Sequence, residues 1–236
     1  MTFEILYPGF LLYGERGNIE YLKRMIPEAT LVETQIHEKP YFVDHPVAFI
    51  YMGPMTEKNL ALVCEELMPY KERLKELMEG GTCFLIVNSA LEIFGRSIEL
   101  AQGEALQTLN LLPFTTKRNM KDRHDTTVMG TFRSMHILGY DARFTEQYGN
   151  ESMPFLTVER GHGFHRGSRY EGIHYKNFIG TNLLGPLLLT NPPFARYLQK
   201  KLTGREELPY EERMDAAYRV RLEHFINDKE ILQQKS

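Results

Sequence analysis

The stretch that decides the fold is TCFLIVNSALEIFG, residues 82–95. Five apolar residues, 83–87, run directly into Asn88, Ser89 and Ala90, after which the apolar spacing becomes helical. Several α/β enzymes mount a nucleophile on such a sharp strand-to-helix turn, at the carboxyl edge of a sheet. Here the residue at the tip is an asparagine, whose amide does not attack substrates under ordinary conditions. The stretch predicts an α/β fold and leaves open whether this elbow carries chemistry.

Short apolar strands and helical segments alternate on the amino-terminal side of the elbow. Strands are predicted at residues 3–7, 29–36 and 46–52, with a helix at 18–26. A further helical region begins after an N-cap at Thr56 and breaks near Pro69 before it ends at about residue 78. Alternation of this kind is typical of a parallel sheet covered by helices.

The rest of the chain predicts strands with few helices between them. The predicted strands are 106–116, 127–136, 154–159 and 173–181. A helix is predicted to begin in NPPFARYLQKKL, residues 191–202, and a charged helical pattern occupies 207–234. We therefore predict one α/β domain at 1–204 and a carboxyl-terminal helical extension at 205–236.

Composition narrows the function classes. The chain has 236 residues, 42% hydrophobic and 25% charged, with a formal net charge of −3. This charge gives no electrostatic basis for binding nucleic acid or an anionic membrane. Two cysteines are too few for a disulfide framework, and no signal peptide or membrane-spanning run is apparent. The expected location is the cytoplasm, without membrane insertion.

Several short motifs in a fixed order resemble one enzyme family. The stretch YEGIHYKNFIGTNLLGPLL, residues 170–188, resembles the carboxyl-terminal active-site strand of class I glutamine amidotransferases of the cobyric acid synthase type. The likeness is greatest to the glutaminase subunits of lipid II isoglutaminyl synthases. LLYGERGNI, FIYMGPMTEKN, the elbow and GEALQTLNLLPFTTKR follow the same order, at residues 11–19, 49–59, 74–95 and 103–118.

This resemblance implies a three-layer, flavodoxin-like fold with a mostly parallel sheet covered by helices. It also implies a partner, a Mur-ligase-like synthetase subunit, with self-association as the alternative. The family nucleophile, a cysteine, falls on Asn88, and the family histidine falls on Leu184. Pro54, next to Gly53 in the turn that helps hold the oxyanion, has no N–H to donate. Glu92 stands where the family has a glutamine.

These replacements predict a protein that does not hydrolyse glutamine. Loss of one member of a nucleophile–base unit can cost about 10⁴–10⁶ in turnover, and an oxyanion donor about 10²–10³ more. A catalytically disarmed binding or regulatory subunit is the first hypothesis. The others are an enzyme of another reaction class reusing the pocket, and an active glutaminase subunit with Cys83 as nucleophile.

Seven residues are predicted to contribute to a ligand site, although no catalytic residue is intact: Gly53, Asn88, Ser89, Glu92, Glu159, His162 and His165. Asn88 is either a ligand-binding amide or a residue that tolerates positive φ at an elbow. The glycine-spaced histidines suit either a solvated loop or an anion-binding loop. No acidic or cysteine partner follows them at a diagnostic spacing, so no metal site is predicted, and no cofactor.

Overall fold

The computed structural model describes residues 1–227, which form two sheets and seven α-helices. The strands are β1 (Thr2–Leu6), β2 (Thr30–Thr34), β3 (Phe49–Met52), β4 (Cys83–Val87), β5 (Ser97–Glu99), β6 (Ala105–Gln107), β7 (Thr115–Arg118), β8 (His124–Phe132), β9 (Met135–Arg143), β10 (Thr145–Tyr148), β11 (Pro154–Arg160), β12 (Tyr170–Tyr175), β13 (Phe178–Thr181) and β14 (Leu183–Leu184). The helices are α1 (Arg16–Met25), α2 (Glu57–Leu67), α3 (Lys71–Gly80), α4 (Ser89–Glu92), α5 (Leu187–Thr190), α6 (Pro192–Thr203) and α7 (Glu211–Asn227).

The main sheet has ten strands in the order β14-β9-β8-β11-β12-β13-β4-β3-β1-β2. The five strands from β2 to β13 pair in parallel, whereas the pairings from β13 to β14 are antiparallel. The predicted helix-covered α/β sheet is confirmed, but parallel pairing is confined to one half. The reason is that parallel neighbours need long crossovers, and the carboxyl-terminal half is built mainly from tight hairpins.

Apolar side chains of the central strands pack on both faces of the main sheet. In β3, Phe49 and Tyr51 join one buried cluster with α1 and α6, while Ile50 and Met52 join a second cluster with α2 and α3. A strand covered on both faces reads as a continuous apolar run, because successive side chains alternate between the two layers. The elbow after β4 therefore sits at the edge of a sheet enclosed by helices.

The predicted signals for the helical region that follows Thr56 are confirmed. The Thr56 side chain accepts a hydrogen bond from the Asn59 N–H at 3.3 Å, which caps α2. A 3₁₀ turn containing Pro69 separates α2 from α3, and Gly81 ends α3 in the left-handed conformation with φ 94°.

Three strand predictions are wrong in the region of the hairpins. Residues 106–116 hold only the ends of β6 and β7, with irregular chain between them. Residues 127–136 and 173–181 each span a hairpin rather than one strand, and they reverse direction near Arg133 and Lys176. Arg133 and Lys176 have φ of 56° and 53°. Glycine commonly occupies such positive-φ turn positions, and its absence here leaves the sequence without a signal for the two turns.

The carboxyl-terminal helix α7 packs against the antiparallel half of the main sheet. Phe225 is buried against Met129 and Leu138, and the Tyr218 hydroxyl donates to the His136 carbonyl at 2.7 Å. The predicted helix at 207–234 is thus found up to Asn227, and its remaining residues lie outside the described part of the chain. The division into 1–204 and 205–236 stays a prediction. No helix within residues 1–227 combines the length and apolarity needed to cross a membrane.

Replacement of Phe178 by alanine should lower the free energy of unfolding by about 3–5 kcal/mol, because it removes a large buried ring. Phe178 is fully buried, and its ring centroid lies 5.6 Å from that of Phe84 and 5.0 Å from that of Phe94. Urea unfolding would measure the change. Val220→Ala, at a side chain 68% exposed, is the control and should shift stability by under about 0.5 kcal/mol. Equal effects of the two substitutions would contradict the packing described here.

Candidate functional site

The elbow brings Asn88 to the carboxyl edge of the parallel strands, in a strained conformation. Asn88 has φ 55° and ψ −127°, so the predicted positive φ is confirmed, but ψ lies well outside the left-handed helical region that asparagine tolerates. Its N–H donates to the Thr181 carbonyl at 2.6 Å, and its side-chain amide donates to the Asn182 carbonyl at 2.9 Å. Both bonds tie the elbow to the end of β13.

Ser89 links the elbow to the turn that follows β3. Its hydroxyl accepts from the Met55 N–H and donates to the Met55 carbonyl, each at 2.9 Å. Pro54, one residue earlier, has no N–H. The backbone amide of the turn that is nearest the elbow is therefore already engaged by a protein side chain. Gly53 itself packs against Leu11 and does not line the cavity described below.

Leu184 belongs to the core and not to the cavity. It lies in β14, where it pairs with Tyr140 of β9, and it is buried within the same apolar cluster as Leu187 and Leu188. An isobutyl group can neither accept nor donate a proton. The two positions that the sequence resemblance aligns with a nucleophile and a base thus hold an engaged amide and a packed aliphatic side chain.

Glu92 is buried beside two partners contributed by the four-stranded sheet, whose order is β10-β7-β5-β6. The Arg118 guanidinium donates to one carboxylate oxygen at 3.2 Å, and the Thr145 hydroxyl donates to the other at 3.0 Å. Burial raises the pKa of Glu92, and the charge of Arg118 and the bond from Thr145 oppose that shift. The carboxylate occupies the wall of the cavity instead of projecting into it as a free base.

A cavity of about 160 Å³ lies in front of the elbow. Its wall includes the predicted residues Asn88, Ser89 and Glu92, and four residues that sequence reasoning missed: Arg118, Arg123, Arg143 and Thr145. Arg143 is held by Asp141, whose carboxylate oxygens accept from its Nε at 3.0 and 3.1 Å. The basic run TTKRNMKDR, residues 115–123, was the available signal for two of the arginines, whereas nothing nearby marks Arg143.

A buried carboxyl group beneath the elbow fixes Asn182. Glu171 accepts from the backbone N–H of Asn182 at 2.6 Å, from its side-chain amide at 3.1 Å, and from the Thr181 hydroxyl at 2.8 Å. Burial raises the pKa of Glu171 to about 7, against the opposing effect of these hydrogen bonds. Because the Asn182 carbonyl is the acceptor for Asn88, Glu171 positions the elbow indirectly.

The other predicted ligand residues do not reach this cavity. His165 stacks on Tyr148 with ring centroids 4.8 Å apart. The ring centroids of His162 and His124 lie 5.6 Å apart. The pKa of His162 is lowered, mainly by burial and secondly by the charge of His124. Glu159 contacts His136 of β9. The cavity residue Arg143 lies seven residues further along the same strand, about 23 Å away. Among residues 1–227 no cluster of three potential metal ligands is found.

Cys83 is buried in β4 within the cluster under α1 and α6. Burial raises the pKa of its thiol, which keeps the sulfur protonated and unreactive. Cys64, in α2, is buried as well, and burial raises its pKa to about 12. Both behave as small hydrophobic residues.

Two curated relatives are similar to the chain over most of its length, and no family model matches it. The first is named lipid II isoglutaminyl synthase (glutamine-hydrolyzing) subunit GatD, from Staphylococcus aureus. It is 26% identical over 228 residues, which is 95% of this chain and 93% of the relative. The protein of the same name from Streptococcus pneumoniae is 23% identical over 195 residues, 78% of this chain and 72% of the relative.

Solved structures of glutamine amidotransferases share the fold. One from Thermotoga maritima has a TM-score of 0.55 at 10% identity and covers 97% of this chain and 99% of its own. Another glutamine amidotransferase has a TM-score of 0.52 at 14% identity and covers 85% of this chain and 98% of its own. The chain therefore has a glutamine amidotransferase-like fold of the class I type, with a large α/β sheet covered by helices.

Ionisation of the buried Glu171 should make stability fall as pH rises. The pKa is about 7 in the folded chain against an ordinary value of 4.5, so between these values the folded state holds a proton that the unfolded state has lost. Stability attributable to Glu171 is fully present below about pH 4.5 and declines by roughly 3 kcal/mol up to about pH 7.

Urea unfolding at several pH values would measure this decline, with Glu171→Gln as the test variant. The substitution keeps an acceptor for Asn182 and removes the titration, so the slope should become shallower. Glu15, whose pKa burial also raises to about 7, contributes a slope of the same sign that remains. An unchanged slope in the Gln variant would rule out this assignment.

Proposed function

We propose that the chain is a catalytically disarmed glutamine amidotransferase-like protein that serves as a binding or regulatory subunit. The observation that carries the proposal is the state of Asn88, whose side-chain amide stands at the elbow tip and donates to the Asn182 carbonyl at 2.9 Å. A carboxamide is not a nucleophile comparable to a thiolate. The amide of Asn88 is, in addition, already hydrogen-bonded to the backbone.

The lack of a base reinforces the argument. General-base catalysis needs a titratable group within hydrogen-bond reach of the nucleophile, about 2.6–3.2 Å or one water away. Leu184 offers none, and the nearest titratable group in the elbow helix, Glu92, is bonded to Arg118 and Thr145. Ser89 is no substitute nucleophile, because its hydroxyl bonds both polar backbone atoms of Met55 and no histidine contacts it among the described residues.

The oxyanion site is also compromised. Stabilising a tetrahedral intermediate requires free N–H groups aimed at the developing charge, each worth about 10²–10³ in turnover. Pro54 provides no N–H, and the Met55 N–H donates to Ser89. Together with the replaced nucleophile and base positions, the lack of a free N–H at Pro54 and Met55 supports a protein that does not hydrolyse glutamine.

A synthetase partner follows from the relatives. Both are named as subunits of a synthase, and the first matches this chain along nearly the whole length of both proteins. We therefore infer that this chain also associates with a synthetase subunit, which the sequence resemblance suggests is Mur-ligase-like, rather than only with itself. Its place in such a complex would be to occupy the glutaminase position without supplying ammonia.

The names of the relatives favour one alternative, an active glutamine-hydrolysing subunit. In that reading the nucleophile is Cys83, the nearest thiol in sequence to the elbow. The buried position and raised pKa of Cys83 oppose it. An enzyme of a different reaction class, using Glu92, Glu159 or the histidine loop, is less favoured. Glu92 lines the elbow cavity but is bonded to Arg118 and Thr145. Glu159, His162 and His165 do not line it.

Purified protein should release no ammonia from glutamine above the rate of a buffer control, alone or with its co-purified synthetase partner. The paired substitution Asn88→Cys with Leu184→His should also leave ammonia release low, because neither Pro54 nor the engaged Met55 N–H offers a free oxyanion donor. A coupled glutamate dehydrogenase assay measures both.

Ammonia release by the unmodified chain that disappears in Asn88→Ala would overturn the proposal. Covalent labelling of Cys83 by an electrophilic glutamine analogue, read by mass spectrometry, would support the active alternative instead. Cys64→Ser is the matched control for that labelling, since this thiol is also buried but lies in α2.

A further inference from the structure

A groove rich in cations lies at the edge of the main sheet opposite the elbow. It has a volume of about 540 Å³ and is enclosed by the β8–β9 turn and α6. Through the pairings of β13, β12 and β11, β8 runs antiparallel to β4, so the turn at Arg133 and the elbow at Asn88 lie at opposite ends of the strands. The groove, which we call the hairpin groove, shares no lining residue with the elbow cavity.

Two of the four cations that line the hairpin groove are balanced by carboxylates of the chain. The Arg196 guanidinium donates to Glu211 at 2.7 and 2.9 Å and to Asp215 at 2.5 Å. The Lys200 ammonium forms an ion pair with Glu206. These two positive charges are therefore already neutralised within the protein.

The other two cations, Arg133 and Lys201, have no such balance. Both side chains are exposed, and neither forms an ion pair within residues 1–227. The guanidinium carbon of Arg133 lies 5.1 Å from the ring centroid of Tyr197, and the Lys201 Nζ lies 5.9 Å from the same centroid. An aromatic ring attracts cations through its quadrupole, so Tyr197 holds both charges beside the groove.

The half-buried His174 of β12 senses these two charges. Its ring packs edge-on against Phe132, with the ring centroids 5.1 Å apart. Burial lowers the pKa of His174, and the charges of Arg133 and Lys201 lower it further. The positive potential of the hairpin groove therefore extends into the neighbouring part of the sheet.

The charge and the lining of the hairpin groove match a phosphate monoester. Such a group carries about −1.5 to −2 charges at neutral pH, which balances two free cations, whereas a carboxylate carries one. A guanidinium forms paired bonds to phosphate oxygens, and an ammonium binds phosphate as a point charge. Met135, Pro193 and the Tyr197 ring add apolar surface, and sites for small molecules commonly measure about 300–1,000 Å³.

We propose that the hairpin groove binds a phosphate monoester with an apolar body. The phosphoryl group lies between Arg133 and Lys201, and the body lies along Tyr197 and Met135. The site is independent of the function proposed for the elbow, because no residue of the elbow cavity takes part in it.

Isothermal titration calorimetry at about pH 7.5 and constant ionic strength tests this site with defined probes. Phenyl phosphate should bind saturably and about 2- to 10-fold more tightly than inorganic phosphate, because its ring packs on the apolar lining. Benzoate, with the same ring and one negative charge, should bind more weakly than phenyl phosphate. The benzoate titration distinguishes a phosphate site from a carboxylate site.

Charge-neutralising variants locate the binding. Arg133→Gln and Lys201→Gln should each weaken phenyl phosphate binding by about 3- to 10-fold, and the double variant by about 10- to 100-fold, since charge-assisted bonds are lost. Both side chains are exposed, and an unchanged urea midpoint would verify folding. The matched control is Lys58→Gln, an exposed cation of α2 on the opposite face of the sheet, which should change nothing.

Three results would overturn this inference: no saturable binding of phenyl phosphate, an unchanged affinity in the double variant, or an equal loss in Lys58→Gln. Benzoate that binds as tightly as phenyl phosphate would overturn the choice of phosphate. None of these results bears on glutamine hydrolysis, which the ammonia assay measures separately.

Discussion

The elbow at Asn88 is the constraint on which the site depends. A residue with φ 55° and ψ −127° costs about 1–3 kcal/mol, and it persists only where its surroundings fix it. Here the surroundings are two hydrogen bonds, from the Asn88 N–H to the Thr181 carbonyl and from its side-chain amide to the Asn182 carbonyl. The parallel pairing of β4 with β13 holds those carbonyls in place, so the tertiary fold stabilises the strained turn.

Buried polar groups reinforce the two hydrogen bonds that fix Asn88. Glu171 binds Asn182 through its backbone and its side chain, and Gln147 pairs with the Asn182 amide on the other side. A buried network of this kind is costly if any member lacks a partner, and rigid when every member has one. The position of Asn88 is therefore set by groups that do not line the cavity, so its amide serves the scaffold.

The sequence predicts the parallel half of the fold well, because its signals are local. The apolar run before Asn88, the cap at Thr56 and the break at Pro69 each act within a few residues. The antiparallel half was predicted poorly, since the turns at Arg133 and Lys176 lack the glycine that marks most two-residue hairpins. The site follows the same division: Asn88, Ser89 and Glu92 are close in sequence, whereas Arg143 reaches the cavity only through the pairing of β8 with β9.

Under the function proposed above, the elbow serves the scaffold and the wall of the cavity rather than catalysis. The hydrogen bonds to Thr181 and Asn182 are enough to keep Asn88 in its strained conformation, since such a residue persists where its surroundings fix it. In front of the elbow, the Ser89 hydroxyl binds both polar backbone atoms of Met55, and Asp141 holds Arg143 in the cavity wall. Keeping two guanidinium groups partly unpaired away from water is a further cost. Each group nevertheless keeps a charged contact within the chain, Arg118 with Glu92 and Arg143 with Asp141, so these pairs hold the wall of the cavity in place.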